Sequence, residues 1–229
     1  SFASYAFNKS HAAAYGMVAV ETGWLKRHYP VPFMAAIMNS VMDNAPKVAG
    51  YIQYCRSHGI PVLPPDVNQS VWRFSVDRDD KGAQGIRFGL GGVKNVGFGA
   101  VELIEKERKK GAYRDNFDFV ERACGDQLNK RTVESLIKAG AFDRLGYNRA
   151  QLMSAYEELM DSSAQKRRQN VAGQVSLFDM GMEAAAAAPA FVIPPMPEHP
   201  RKALLSMEKE MTGVYVTGHP LDEVADLLT

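Results

Sequence analysis

Gly89-Leu90-Gly91-Gly92-Val93-Lys94-Asn95-Val96-Gly97-Phe98-Gly99-Ala100-Val101-Glu102-Leu103-Ile104 sets a glycine–hydrophobic–glycine turn between two apolar segments. This is the pattern of a helix-hairpin-helix. Glycines turn the backbone tightly, with positive φ where it is needed, and leave no side chain to keep an approaching group away. The amides of such a turn, and of the helix after it, converge on one phosphate. Contact of this kind positions a duplex without reading its bases. Lys94 adds a mobile charge beside it. The same pattern also fits a tight turn between helices with no ligand.

A second, less regular hairpin follows. Asn129 caps a helix carrying Val133, Leu136 and Ile137, and Lys138-Ala139-Gly140-Ala141-Phe142-Asp143 ends it. Asn148-Arg149-Ala150-Gln151-Leu152 opens the next helix, which is expected to reach about Met160. Two hairpins would hold two phosphates and follow a groove. The candidate contacts are Lys94, Asn95, Val96, Gly97 and Gly99 in the first hairpin, and Lys138 and Arg149 in the second. Between the hairpins one helix runs to about Lys110, and Asn116-Phe117-Asp118-Phe119-Val120 begins another with Asp118 near its positive end.

Upstream, residues 8–28 read as one helix, stopped because Pro30 pushes its predecessor out of helical geometry. A second helix is expected from Pro32 to about Met42. A third is capped by Asn44, carries the stripe Val48, Tyr51, Ile52 and Cys55, and ends at Gly59. Ile60 to Pro65 is extended, because consecutive prolines forbid helix. Val71, Trp72, Phe74 and Val76 form a strand-like run, Asp77 to Gly85 a polar turn, and Ile86-Arg87-Phe88 a returning strand. A small β-hairpin is therefore expected, with Trp72 and Phe74 as packing residues. Asp77, Asp79 and Asp80 fall on its solvated tip. No catalytic group and no metal site are expected in this chain.

The first helix opens on Asn8-Lys9-Ser10-His11-Ala12-Ala13-Ala14-Tyr15. Asn8 or Ser10 is a natural cap, and the alanines are strong helix formers. His11 and Tyr15, four apart, share a face. Lys9 and the first-turn amides would hold an anion such as a triphosphate, with the two rings beside it for a flat base. The alternative is an ordinary capped helix with His11 at the surface and Tyr15 in the core.

Lys and Arg number 27 against 26 Asp and Glu, so the 229-residue chain carries a net charge of only +1. Any contact with nucleic acid must be local. Cys55 and Cys124 have no metal-ligand spacing and make no disulfide framework. No apolar run is long enough to span a bilayer. A reduced, cytoplasmic setting fits, and both ends read as cut from a longer protein.

From Ser162 the sequence turns polar and basic, and Gly181 to Pro200 is Ala- and Pro-rich without a period, the composition of a mobile linker. Gln174-Val175-Ser176-Leu177-Phe178-Asp179 puts a short apolar pair on that tether. Leu177 and Phe178 would either dock into a partner's pocket, at roughly 1.5–3 kcal/mol each before ordering costs, or pack back on the hairpins. Arg201 to Glu210 reads as a helix. The expected fold is mainly α with a small β-hairpin: a helical segment at 1–60, an extended segment and hairpin at 61–88, a tandem helix-hairpin-helix domain at 89–161, a flexible linker at 162–200 and a C-terminal region at 201–229.

Phe2-Ala3-Ser4-Tyr5-Ala6-Phe7-Asn8-Lys9-Ser10-His11-Ala12-Ala13-Ala14-Tyr15 closely resembles the fingers domain of the C-family bacterial replicative DNA polymerases, the α subunits of DNA polymerase III. The likeness continues in the family's order. A Leu-Pro-Pro-Asp element (Leu63 to Asp66), Leu136-Ile137-Lys138-Ala139-Gly140-Ala141-Phe142-Asp143, a clamp-binding pentapeptide and Gly213-Val214-Tyr215-Val216-Thr217-Gly218-His219-Pro220-Leu221 all follow, the last leading towards an OB-fold. The resemblance implies a helical fingers subdomain followed by the hairpin domain. It implies that Asn8, Lys9, Ser10, His11 and Tyr15 meet the incoming dNTP, and that the hairpins meet primer-template DNA. Gln174, Ser176, Leu177 and Phe178 would hold the sliding clamp (β subunit), other replisome subunits would be partners, and His219 would be structural. The family adds deoxynucleotides with two metal ions, Mg2+, on palm carboxylates. No such acidic cluster is legible here, so no cofactor and no polymerisation are expected of this chain alone. Gly16, within a helix, and Gly92, where the family often has Ala, depart from the pattern. The alternative function is a stand-alone helix-hairpin-helix repair or adaptor protein. A further one is a scaffold that binds only the clamp.

Overall fold

The computed structural model describes residues 9–125, 127–171 and 192–222. Among them are eight α-helices and a three-stranded sheet. The first helix, α1 (Lys9–His28), has no buried residue. It leads into α2 (Pro30–Ser40), which begins two residues earlier than expected. The reason is that a first-turn N–H has no helical partner, so Pro30 sacrifices nothing there. Asn44 caps α3 (Ala45–Ser57) as read, its side chain accepting from the Lys47 N–H at 3.1 Å. Val48, Ile52 and Cys55 face inward, and Gly59 follows with φ +70°.

The β region is more than the expected two-stranded hairpin. The extended Pro-rich run supplies β1 (Val62–Leu63), which pairs parallel with β3 (Gln84–Arg87); β2 (Ser75–Arg78) pairs antiparallel on the other side of β3. Strand β2 starts later than the apolar run, because Val71 and Trp72 instead give their carbonyls to the Leu90 and Gly91 amides. Phe74 is buried as expected, and Asn39 brackets its backbone with two 2.8 Å hydrogen bonds that fasten α2 to the sheet. The acidic tip also needs correcting. Asp77 lies in β2, 2.9 Å from the buried Arg87, whose guanidinium also donates to the Pro64 carbonyl and to Gln69. Asp79 closes the turn by accepting from the Lys81 and Ala83 amides, and Asp80 pairs with Arg144.

A 3₁₀ turn (Leu90–Gly92) then precedes α4 (Phe98–Arg108). Next come α5 (Asn116–Ala123), capped by Asp115, and α6 (Lys130–Lys138), capped by Asn129 as read. Helix α7 (Arg149–Val171) runs well past the expected stop at Met160, since residues 161–171 contain no Gly or Pro to end it. The last element is α8 (Arg201–Thr212).

Residues 192–200, placed in the mobile linker by composition, lie against the start of α7. Ile193 is buried, the Pro194 and Met196 carbonyls accept from Gln151 and Asn148, and Glu198 accepts from the Arg149 and Ala150 amides. Those amides are the unpaired donors of a helix N-terminus. Burial alone would raise the Glu198 carboxyl, but the Arg149, His199 and Ala150 amides hold it below the usual carboxylate range.

One apolar core joins α2 and α3 to the sheet, the hairpins, Ile193 and Val216. Its hardest joint is polar. Arg149 is 3% exposed and donates to Asp143 through Nε (2.9 Å) and Nη2 (2.7 Å), to the Lys138 carbonyl, and to Glu208 at 3.1 Å. Glu208, also buried, accepts from the Val216 and Thr217 amides and the Thr217 hydroxyl. Gly140 is forced by this arrangement: its φ is +84°, and a Cβ would collide with the Arg149 guanidinium. No helix among the described residues is long and apolar enough to cross a membrane.

Two outcomes test this account. Arg149→Met strands the buried Glu208 and should cost about 3–5 kcal/mol in urea unfolding, well beyond a surface Arg change such as Arg73→Met. Burial pushes the Cys55 thiol up to about 11 and the Cys124 thiol up to about 12. Both cysteines should therefore resist alkylation at pH 8 until the chain is unfolded, and rapid labelling of the native protein would contradict their burial.

Candidate nucleic-acid interface

The first hairpin begins where the 3₁₀ turn ends. Val93 and Val96 are buried and anchor the loop, while Lys94, Asn95, Gly97 and Phe98 are exposed. The turn is not made as the glycine pattern implied. Gly97 has φ −84° and ψ 160°, ordinary extended geometry, and the positive φ falls on Asn95 at 62°. Asn is among the few residues that tolerate that conformation. The preceding segment is a single 3₁₀ turn rather than a full helix.

Gly97 is the N-cap of α4, and no side chain caps that helix. The first intrahelical bonds run from Ala100 and Val101 to the Gly97 carbonyl, at 3.1 and 3.3 Å. The Phe98 and Gly99 amides come before them, in the turn where a helix has no acceptors of its own. A Cβ built on Gly97 meets nothing within 4 Å. Neither backbone strain nor packing within the chain calls for glycine at this position. A bare, outward-facing helix start is the geometry that accepts a phosphate.

The loop is held rigidly. The Lys94 amide donates to the Met211 carbonyl at 2.7 Å. Asn95 gives its side-chain amide to Ser135 at 3.0 Å and takes the Thr132 hydroxyl on its carbonyl at 3.0 Å. Of the five first-hairpin residues named from sequence, Asn95 and Val96 are thus structural by their contacts. Lys94, Gly97 and Gly99 stand at the open end.

The second hairpin does not present its cations in the expected way. Arg149 lies inside the Asp143–Glu208 network and cannot reach a phosphate. Its charge is held above the usual range, since the Asp143 and Glu208 carboxylates outweigh burial, which would lower it. Lys138 is mostly covered and pairs with Glu134 at 2.7 Å, with Glu210 at 4.0 Å. The Glu134 hydrogen bond raises its pKa against the burial that would lower it. Arg131, on the first turn of α6, is exposed, and the sequence pattern did not single it out; Arg144, also exposed, pairs with Asp80.

A groove of about 1040 Å³ runs beside the first hairpin. Trp72, Phe98, Arg73, Lys106 and Lys109 line it, with Glu102 and Glu105. Phe98 is 60% exposed, and its ring meets Trp72 edge-on at 5.3 Å. Trp72 does pack, half-buried, against the core as expected, and it also lines the groove. The visible signal for the groove was the aromatic Phe98 between two glycines.

At the other end of the molecule, Lys9, Ser10, His11 and Tyr15 all lie exposed on the first turns of α1. The His11 and Tyr15 rings stand edge-on with centroids 4.5 Å apart, so the shared face is real, and Tyr15, at 65% exposure, is not in the core. No acidic residue occupies that first turn. Asn8 lies outside the described residues, as do Gln174, Ser176, Leu177 and Phe178. No cluster of three or more His, Cys, Asp or Glu suited to a metal ion occurs among the described residues.

Residues 59–152 match a helix-hairpin-helix motif family. Over 229 residues the chain is 44% identical to DNA polymerase III subunit alpha of Vibrio cholerae, covering all of this chain and 19% of that protein. It is 45% identical to the Saccharopolyspora erythraea subunit over 99% of this chain, and 40% identical to the Escherichia coli K12 subunit over 97% of it. The chain spans about 19% of the length of each of these relatives.

Proposed function

We propose, for a chain homologous from end to end to a segment of the bacterial DNA polymerase III α subunits, a role in replicative DNA synthesis as the part that holds substrate and partner rather than the part that makes the bond. The observation that carries this reading is the bare start of α4. There an uncapped helix opens beside Lys94, at a glycine that the chain's own packing does not require. It would take a backbone phosphate of the primer-template duplex irrespective of sequence. Gly97, Gly99 and Lys94 make the contact, and Arg131 replaces Lys138 and Arg149 as the cation at the second hairpin.

Two finer roles belong to the same reading. At the start of α1, Lys9 and Ser10, with Asn8 ahead of them, receive the phosphates of the incoming dNTP, and the His11–Tyr15 pair lies alongside its base. Gln174, Ser176, Leu177 and Phe178 tether the sliding clamp, on a segment joined at both ends to docked structure, which raises the local concentration of a weak peptide. The two-metal chemistry, with Mg2+, belongs to palm carboxylates elsewhere in the intact polymerase, and other replisome subunits and a bacterial cytoplasmic setting go with it. A stand-alone helix-hairpin-helix binder would use the same α4 start but would have no need of α1's exposed polar opening.

Gly97→Asp separates folding from binding. Aspartate is at least as good an N-cap as glycine, and the space beside Gly97 is open, so the unfolding midpoint should hold or rise. Its charge faces the phosphate, so affinity for a blunt 20-base-pair duplex should fall at least tenfold. Unchanged duplex affinity would remove the hairpin from the interface. Lys9→Ala and His11→Ala should each weaken triphosphate binding to the chain without altering duplex affinity, and Leu177→Ala/Phe178→Ala should abolish clamp binding in a pull-down with the β subunit. Indifference of triphosphate binding to the α1 changes would favour the stand-alone binder.

A further inference from the structure

Phe98 is the first residue of α4, directly after the Gly97 N-cap, where a large apolar side chain would ordinarily pack against its own domain. Here it is 60% exposed and lines the groove together with Trp72. The two rings stand 5.3 Å apart at 73°, so the open face of Phe98 is not covered by Trp72. Arg73, Lys106 and Lys109 line the groove against Glu102 and Glu105, and the Glu105 carboxylate is engaged by the Trp72 amide at 3.2 Å. Trp72 is itself fixed, since a Cβ on Gly91 would strike its ring at 2.6 Å.

We infer that this groove is a single-strand binding channel, in which an unpaired stretch of DNA stacks a base on Phe98, against the fixed edge of Trp72, while Arg73, Lys106 and Lys109 follow its phosphates. Exposed aromatics interleaved with cations are what sequence-independent single-strand binding requires, because every base has a face to stack. Two observations favour nucleic acid over a protein segment. The groove carries more positive than negative side chains, and it is continuous with the start of α4, so a strand held there by one phosphate delivers its neighbouring nucleotide to Phe98. The volume exceeds that of most small-molecule pockets, about 300–1,000 Å³, and the groove is open along its length, which suits a strand rather than an enclosed ligand. The inference rests on the duplex contact proposed above only for the direction from which the strand arrives.

The test uses the whole 229-residue chain carrying Trp24→Phe, so that Trp72 is the one remaining tryptophan. Titration with a dT12 oligonucleotide should quench Trp72 fluorescence. Phe98→Ala, an exposed position that the core does not need, should weaken dT12 binding about 5- to 100-fold while leaving blunt-duplex affinity within twofold. Lys106→Ala/Lys109→Ala should weaken dT12 binding and flatten its salt dependence. Absence of dT12 binding, or dT12 binding indifferent to Phe98→Ala, overturns the inference and leaves the groove to a protein segment. Equal losses for dT12 and duplex also overturn it, because Phe98 would then belong to the duplex contact. Failure of the duplex reading looks different: Gly97→Asp would leave duplex affinity intact while dT12 still quenched Trp72.

Discussion

The C-terminal half of this chain is organised round one buried guanidinium. Arg149 touches the end of α6 through the Lys138 carbonyl, the following turn through Asp143, and α8 through Glu208, while Glu208 in turn gathers the Val216 and Thr217 amides. Burying such charges is costly unless nearly every donor finds an acceptor. Here the planar fork of arginine matches the Asp143 carboxylate at two points, and two further donors go to the Lys138 carbonyl and Glu208. The network fixes the relative placement of α6, α7 and α8. Met211 on α8 then accepts the Lys94 amide, so the hairpin loop inherits its position from a residue more than fifty positions away in sequence.

That inheritance explains why the hairpin can be bare at its tip. A loop that must hold itself together commonly does so with local caps and turns. This one is held from outside, by Met211, Ser135 and Thr132, and its own amides at Phe98 and Gly99 are left facing out. Asn95 absorbs the one left-handed residue of the turn and anchors it at the same time. The result is a preorganised donor site that needs no rearrangement to meet an anion, which lowers the ordering cost of binding.

Much of the fold was legible because its signals are local. Asn44 and Asn129 cap the helices they were read to cap, Gly59 follows α3 with positive φ, and the apolar stripes of α3 and α6 are buried, save for the half-buried Tyr51. What escaped was non-local. Two residues of a Pro-rich run became β1 only because β3 lies beside them, and nothing in Val62-Leu63 announces a partner over twenty residues away. Residues 192–200 have linker composition, yet the unpaired amides of α7 and an apolar site for Ile193 give them a place. The candidate site followed the same division. The glycine pattern pointed to the segment but not to the residue that turns, which is Asn95, and a cation's availability depends on what surrounds it in space. Sequence alone could not separate Arg149, enclosed by carboxylates, from Arg131, which stands in solvent.

The same accounting bears on where a chain of net charge +1 keeps its positive charge. Arg87, Arg108, Arg122, Lys138 and Arg149 are spent inside the molecule, on carboxylates or on backbone carbonyls. Most of these carry structure rather than field. The positive charge left at the surface near the hairpins is sparse and patterned: Lys94 at the first, Arg131 on the first turn of α6 in the second, and Arg73, Lys106 and Lys109 along the groove. A diffuse basic surface would attract nucleic acid without placing it. A few cations set beside fixed amides and an outward aromatic ring would trade long-range attraction for position.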